Sequence, residues 1–174
     1  VEEMNLRSLA NLREREDPPD GCNNLPVLID SIDLRFPDVG MCRALVMQPL
    51  GVSLQRLLVA DISSDVFVRL VRDVVGAIGA AREAELCHRD ISVKNIIGVG
   101  RNGLLNRLQD VDHFVLIDWG LATSIEEADV GGWIGTVPFM PRHVLERWAE
   151  MRRDLVLNDL ESFSYVMIYC LFGE

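Results

Sequence analysis

Lysine is almost absent from these 174 residues: Lys94 is the one example, and arginine carries the rest of the 17 basic positions against 27 acidic ones. The resulting formal net charge of −10 argues against a broad nucleic-acid or anionic-membrane surface, so neither partner is expected. Cysteine is also sparse. Cys22, Cys42, Cys87 and Cys170 are scattered without a CxxC pair, and only three histidines accompany them, so neither a zinc site nor a disulfide framework is suggested. Three of the four sit in apolar surroundings and read as reduced core thiols of an intracellular protein, cytoplasmic or nuclear. No signal peptide and no membrane-spanning run is expected. What is present, 49% hydrophobic and 25% charged residues, describes a soluble globular chain of about one domain with a real core. Opening on Val1 and stopping within an apolar stretch, the chain is expected to be a fragment.

Met4, Leu6, Leu9 and Leu12 lie at helical spacing and predict a short amphipathic helix over 4–12. Pro18, Pro19 and Gly21 make 13–24 a surface loop. Alternation over 27–34, a turn at 37–40 and a returning run over 42–47 predict two strands. After the break at Gln48-Pro49-Leu50-Gly51, a helix is predicted from Ser53 to about Ala60. Ser63 or Ser64 is a plausible N-cap for a long helix to about Ala84, with Phe67, Leu70, Val71, Val74, Ile78 and Ala81 as its core stripe. The polar stretch between Val99 and His113 contains a hairpin turn signal, Arg101-Asn102-Gly103. Residues 118–141 read as loop and 143–151 as a short helix. Asp159-Leu160-Glu161-Ser162 then caps a helix apolar nearly all round, too short to span a bilayer and so expected in the core. Its outer side would be apolar surface in want of a covering segment or partner.

The chemistry gathers in His88-Arg89-Asp90-Ile91-Ser92-Val93-Lys94-Asn95 and Asp118-Trp119-Gly120. A carboxylate, an amide five places on, and a second carboxylate at the end of the apolar run Phe114-Val115-Leu116-Ile117 could hold a divalent metal and take a hydroxyl proton. The wording of these segments resembles the catalytic loop and metal-binding segment of eukaryotic protein kinases. With the later Asp159-Leu160-Glu161-Ser162-Phe163 it is similar to the fungal-type protein kinase family. The resemblance implies an α+β, protein-kinase-like fold. Residues 1–50 would be a remnant of the small β-rich lobe with the hinge, and 51–174 a mostly helical large lobe truncated after its central helix.

It also implies serine/threonine phosphoryl transfer from ATP with Mg2+ to a protein substrate. Asp90 would be the base, and Asn95 and Asp118 the magnesium ligands. Met47 would stand at the gatekeeper position, with Gln48 to Leu50 meeting adenine. His88 would be structural and Arg89 would anchor an acidic or phosphorylated activation segment. Glu126, Glu127 and Asp129 are candidate partners for it, and Thr123, Ser124 and Thr136 are conceivable phosphosites. Gly120 would turn the metal-binding segment, and Thr136, within Gly135-Thr136-Val137-Pro138-Phe139-Met140, would bond to Asp90. Asp159 would hold the catalytic-loop backbone.

Several positions depart from the family pattern. Ser92 stands where many serine/threonine kinases carry a lysine, so Lys94 is the expected source of that positive charge. Trp119 replaces a phenylalanine, and His143 replaces the glutamate that would pair with an arginine to anchor the docking segment. No Gly-rich loop and no strand lysine precede Glu2 or Glu3, either of which could be the helix glutamate that pairs with that lysine. As given, the polypeptide is expected to bind ATP poorly and to be nearly inactive. Two other functions fit parts of the pattern. Ile117-Asp118-Trp119 is also the wording of aminoglycoside and choline kinases, and a missing nucleotide lobe with His143 would suit a non-catalytic binding module.

Overall fold

The computed structural model describes residues 1–38, 40–58, 62–101, 105, 107–125, 134–146 and 155–173, the side chains of 143 and 146 excepted. The architecture is α+β: helices α1 (Glu2–Arg13), α2 (Leu54–Leu57), α3 (Ser64–Glu83), α4 (Arg142–Glu146) and α5 (Leu155–Phe172) are interleaved with short antiparallel sheets. Strands β1 (Val27–Phe36) and β2 (Gly40–Gln48) form one ribbon. β3 (Val52–Ser53), β5 (Ile96–Gly100) and β6 (Val111–Leu116) form a three-stranded sheet in the order β3-β5-β6, and β4 (Leu86–Cys87) pairs with β7 (Thr123–Ser124).

Helix α1 buries Leu6, Leu9 and Leu12, and α3 buries Val66, Leu70, Val74, Ala77, Ile78 and Ala81, the three-and-four spacing that puts apolar residues on one face. Both stripes enter one core with Ile96, Phe114, Leu116, Trp119 and Phe163. Polar side chains seal the edge of β6 that β5 leaves free. Phe114 N–H donates to Asp73 Oδ2 at 2.9 Å, and its carbonyl accepts from Asn24 Nδ2 at 2.8 Å. A buried peptide left unpaired there would cost about 1–3 kcal/mol. The loop after α1 lies directly on α3. At Gly21, whose φ is +90°, a Cβ would stand 2.2 Å from the carbonyl carbon of Gly76, so only glycine allows this crossing.

The elements run close to their sequence-based bounds, with four corrections. Helix α5 starts at Leu155, so Asp159-Leu160-Glu161-Ser162 lies in its second turn and does not cap it. The helix expected from Ser53 to about Ala60 is the short α2, which starts one residue later because Ser53 pairs with Ile97 of β5 and gives way at Leu58, where ψ is +49°. The two strands of the ribbon are longer than expected, although they leave Ile29, Ile32, Phe36 and Met41 exposed. And α5, at 18 residues, is long and apolar enough by length and composition to cross a membrane, which corrects the expectation that it is too short. Asp159, Ser162, Phe163 and Val166 are nonetheless buried inside the chain. Ile168, Leu171 and Phe172 are exposed. The turn at 101–103, the acidic residues 126, 127 and 129, and the helix end after 146 lie largely or wholly outside the described residues.

A charge network fixes α1 on the ribbon. Arg43 donates from Nη1 to Glu3 Oε2 at 2.7 Å and from Nε to Asp33 Oδ1 at 2.6 Å, while Arg7 Nη2 and Ser31 Oγ donate to Glu3 Oε1 at 2.8 and 3.1 Å. The Arg7 and Arg43 guanidiniums pull the Glu3 carboxyl from 4.5 down to about 2. A depressed carboxyl pKa stabilises the fold above the unfolded value, and that contribution is lost as pH falls from 4.5 toward 2. Thermal melts of wild type and Arg43→Ala should therefore differ most above pH 5 and converge as pH falls to 2. A gap that stays constant over that range would show that Glu3 does not carry it.

Candidate active site

The loop from His88 to Asn95 leaves β4 and enters β5, and buried carboxylates and amides hold it from three sides. From α5, Asp159 accepts the N–H groups of His88 at 2.7 Å through Oδ2 and of Arg89 at 2.9 Å through Oδ1. Asp159 is 3% exposed, and burial pushes its carboxyl up against the opposing pull of His88, Arg89 and the two N–H bonds. From the loop itself, Asn95 N–H closes a turn onto the carbonyl of Ser92 at 3.0 Å. From the end of β6, the peptide of Ile117 is gripped on both sides: its N–H donates to the Asn95 carbonyl at 2.8 Å, and its carbonyl accepts from His88 Nε2 at 2.9 Å. His88 Nδ1 takes the Asp90 N–H at 3.2 Å, so Nε2 is the donating nitrogen. The histidine is fully buried, with its ring edge-on to Trp119 at 4.7 Å. Trp119 is buried too, and its indole N–H finds the Leu116 carbonyl at 3.0 Å, so the larger ring fits without an orphaned donor.

Asp90 is the centre of this arrangement. Its Oδ1 accepts both the N–H and the hydroxyl of Thr136 at 2.7 Å, and its Oδ2 accepts Asn95 Nδ2 at 2.9 Å. The same Nδ2 also reaches the Asp90 carbonyl at 2.8 Å. Gly135 makes the approach possible. Its φ is +119°, and a Cβ there would lie 2.8 Å from the Arg89 carbonyl oxygen. A carboxylate held this way has one lone pair of Oδ2 left over for a hydroxyl.

Asp118 follows the gripped Ile117 peptide in a left-handed conformation, φ +65°, and its side chain is exposed. Gly120 lies beside it, 3.3 Å from Asp118 Oδ1 to the place of a Cβ and 3.7 Å from Glu2 Oε2. Glu2, at the start of α1, therefore adjoins Asp118. Burial and then the Asp118 charge push its carboxyl up. Of the two glutamates left open by the sequence, Glu2 faces this site and Glu3 is occupied by arginines. By donor type, Asn95 and Asp118 suit a divalent ion. Asn95 engages Asp90 through its nitrogen, which leaves the amide oxygen, and Asp118 adds an exposed carboxylate, both hard oxygens. No group of three or more His, Cys, Asp or Glu gathers among the described residues, so an ion here would complete its shell with water or phosphate oxygens.

Arg89, φ +70°, is half-buried beside a small cavity lined by Ile134, Pro141 and Leu155, and burial lowers its pKa. Lys94 is exposed, one residue before Asn95. Gln48 and Leu50 are exposed at the end of β2, and no described hydrogen bond joins them to Asp90, although β3 just beyond pairs Val52 with Gly98 of β5. Ser92 is wholly buried and its hydroxyl is without a partner among the described residues. Ser92→Ala should leave turnover unchanged and raise stability by up to about 1 kcal/mol in urea unfolding, since it removes a desolvated hydroxyl. A marked loss of turnover would mean that the hydroxyl takes part in the reaction.

Two supporting residues escape sequence reasoning. Asn5 sits on the buried face of α1 and donates to the carbonyls of Trp119 at 2.9 Å and Ala122 at 3.1 Å, pinning the Asp118 turn to the helix. Its signal was a polar residue beside the Leu6-Leu9-Leu12 stripe. Glu161 of α5 accepts the Arg142 N–H at 2.8 Å, and only its place two residues after Asp159 could have marked it. Set against known families, residues 5–171 match the family model described as fungal protein kinase. No curated protein matches the chain.

Proposed function

Because the chain belongs to the fungal protein kinase family, we propose that it transfers the terminal phosphoryl group of ATP to serine or threonine hydroxyls of protein substrates. The observation that carries the reading is the double contact of Thr136 on Asp90. It sets the loop over residues 135–141 directly beside the carboxylate, so a polypeptide docked on that loop presents its hydroxyl to Asp90. On this reading 51–174 is the helical lobe of a kinase-like fold and 1–50 belongs with the nucleotide side, with Gln48 to Leu50 as the adenine-facing hinge.

Asp90 orients the acceptor hydroxyl and takes its proton on Oδ2 as the oxygen bonds to phosphorus and ADP departs. Asn95 and Asp118 would hold the magnesium of Mg-ATP, which would supply charge neutralisation at the phosphates. Lys94, exposed at the rim, adds positive charge where Ser92 has none to offer. On this reading the activity is intracellular, which the free cysteines and the use of ATP support.

The test is radiolabel transfer from Mg-ATP by the full-length protein, offered serine/threonine peptides, tyrosine peptides, choline and aminoglycosides side by side. Labelling of serine/threonine peptides is expected. Labelling of choline or an aminoglycoside alone would replace the reading with small-molecule phosphotransfer. No transfer and no thermal shift with Mg-ATP would leave a binding module. In the same assay Lys94→Met should lower turnover by about tenfold to a hundredfold with ATP affinity unchanged, as for loss of one transition-state charge contact. Unaltered turnover would remove Lys94 from the mechanism.

A further inference from the structure

His143 stands where the resemblance calls for a carboxylate to anchor the end of the docking loop, yet Arg142, next to it, is anchored. Its N–H, at the start of α4, donates to Glu161 Oε1 at 2.8 Å, and the same oxygen accepts the Tyr165 hydroxyl at 2.9 Å. Glu161 lies two residues after Asp159, which holds His88 and Arg89. Further along the same helix, Tyr169 meets Phe139 of the loop edge-on at 5.8 Å. One helix thus grips both the segment that carries Asp90 and the far end of the segment that touches Asp90 through Thr136.

From these contacts we infer that Glu161 is a positioning residue for the acceptor, supplying from α5 the anchor that the loop's own sequence lacks. Between Thr136 on Asp90 and Arg142 on Glu161 the chain is fixed at both ends, with Val137 and Pro138 exposed between them. A span tethered at both ends presents one shape to a docking peptide. Released at one end it must be ordered again on each binding event, which weakens peptide affinity and leaves the chemistry alone.

This inference rests on the kinase reading, so two measurements are needed to separate their failures. Amide hydrogen exchange across 140–146 should be about tenfold faster at Arg142 in Glu161→Ala, the scale of one lost hydrogen bond to a charged group. Glu161→Gln, which keeps an acceptor oxygen, should restore the wild-type rate. In the transfer assay Glu161→Ala should raise the peptide KM by about tenfold with ATP KM and kcat near wild type, and Glu161→Gln should rescue it. Unchanged exchange at Arg142 would overturn the anchor whether or not the protein transfers phosphate. Faster exchange with an unaltered peptide KM, or with ATP and peptide KM rising together, would overturn the positioning role. If wild type phosphorylates nothing, the kinase reading fails, the acceptor role goes with it, and exchange alone decides the anchor. Should Glu161→Ala not fold, Glu161→Asp keeps the charge but is one methylene short of Arg142, and it should show the same exchange and KM changes.

Discussion

Asp90→Asn in the full-length protein is expected to lower phosphoryl-transfer turnover by about a thousandfold, within the range general-base catalysis supplies. The amide can still accept from Thr136 through its oxygen, so the docking loop stays in place. Its nitrogen then faces Asn95 Nδ2, two donors where one bond was, a loss of about 1 kcal/mol in stability. What disappears is the lone pair that takes the hydroxyl proton. ATP affinity should be close to wild type, because the nucleotide contacts proposed above are Asn95, Asp118 and the 48–50 segment and do not include Asp90. Single-turnover assays and nucleotide titration separate the two quantities. A tenfold effect or less would mean that Asp90 is a structural acceptor for Thr136 and Asn95, and the base would have to be sought elsewhere.

The second large effect is on the fold. Asp159→Ala removes the acceptor for two N–H groups, those of His88 and Arg89, at a position 3% exposed to solvent. Two buried donors without partners cost about 3–5 kcal/mol together, which for a chain of this length is a fall in Tm of about 10 °C. Asp159→Asn should recover little of this, since one of its two terminal atoms is itself a donor pointed at an N–H. Calorimetry of the three proteins gives the answer directly. A change under about 1 kcal/mol for Asp159→Ala would show that the loop carrying Asp90 is held from the β6 side alone.

The catalytic-loop wording, the strand before Asp118 and the helices were legible because each is a local pattern. Apolar residues recur at one spacing on a helix and another on a strand, and the loop between Cys87 and Ile96 is bounded by buried β-type residues on both sides. The extent of α2 was not legible. Where it starts is set by β5, which recruits Val52 and Ser53, and a ladder partner 45 or so residues away leaves no local mark. Glu2 and Glu3 are neighbours with equal claims in the sequence. Only the placement of Arg43 across from Glu3, and of the Asp118 turn across from Glu2, tells them apart.

The sequence alone was enough to show the types of the elements and to mark Asp90, Asn95 and Asp118 as the candidate set, because periodicity and motif spacing are written within a few residues. The tertiary structure decided which polar groups serve that set. Asn5 reaches across 114 positions to Trp119, Asp159 across 71 to His88 and Glu161 across 19 to Arg142. A hydrogen bond requires its donor and acceptor within about 3 Å, and separation along the chain says nothing about that distance until the core has packed.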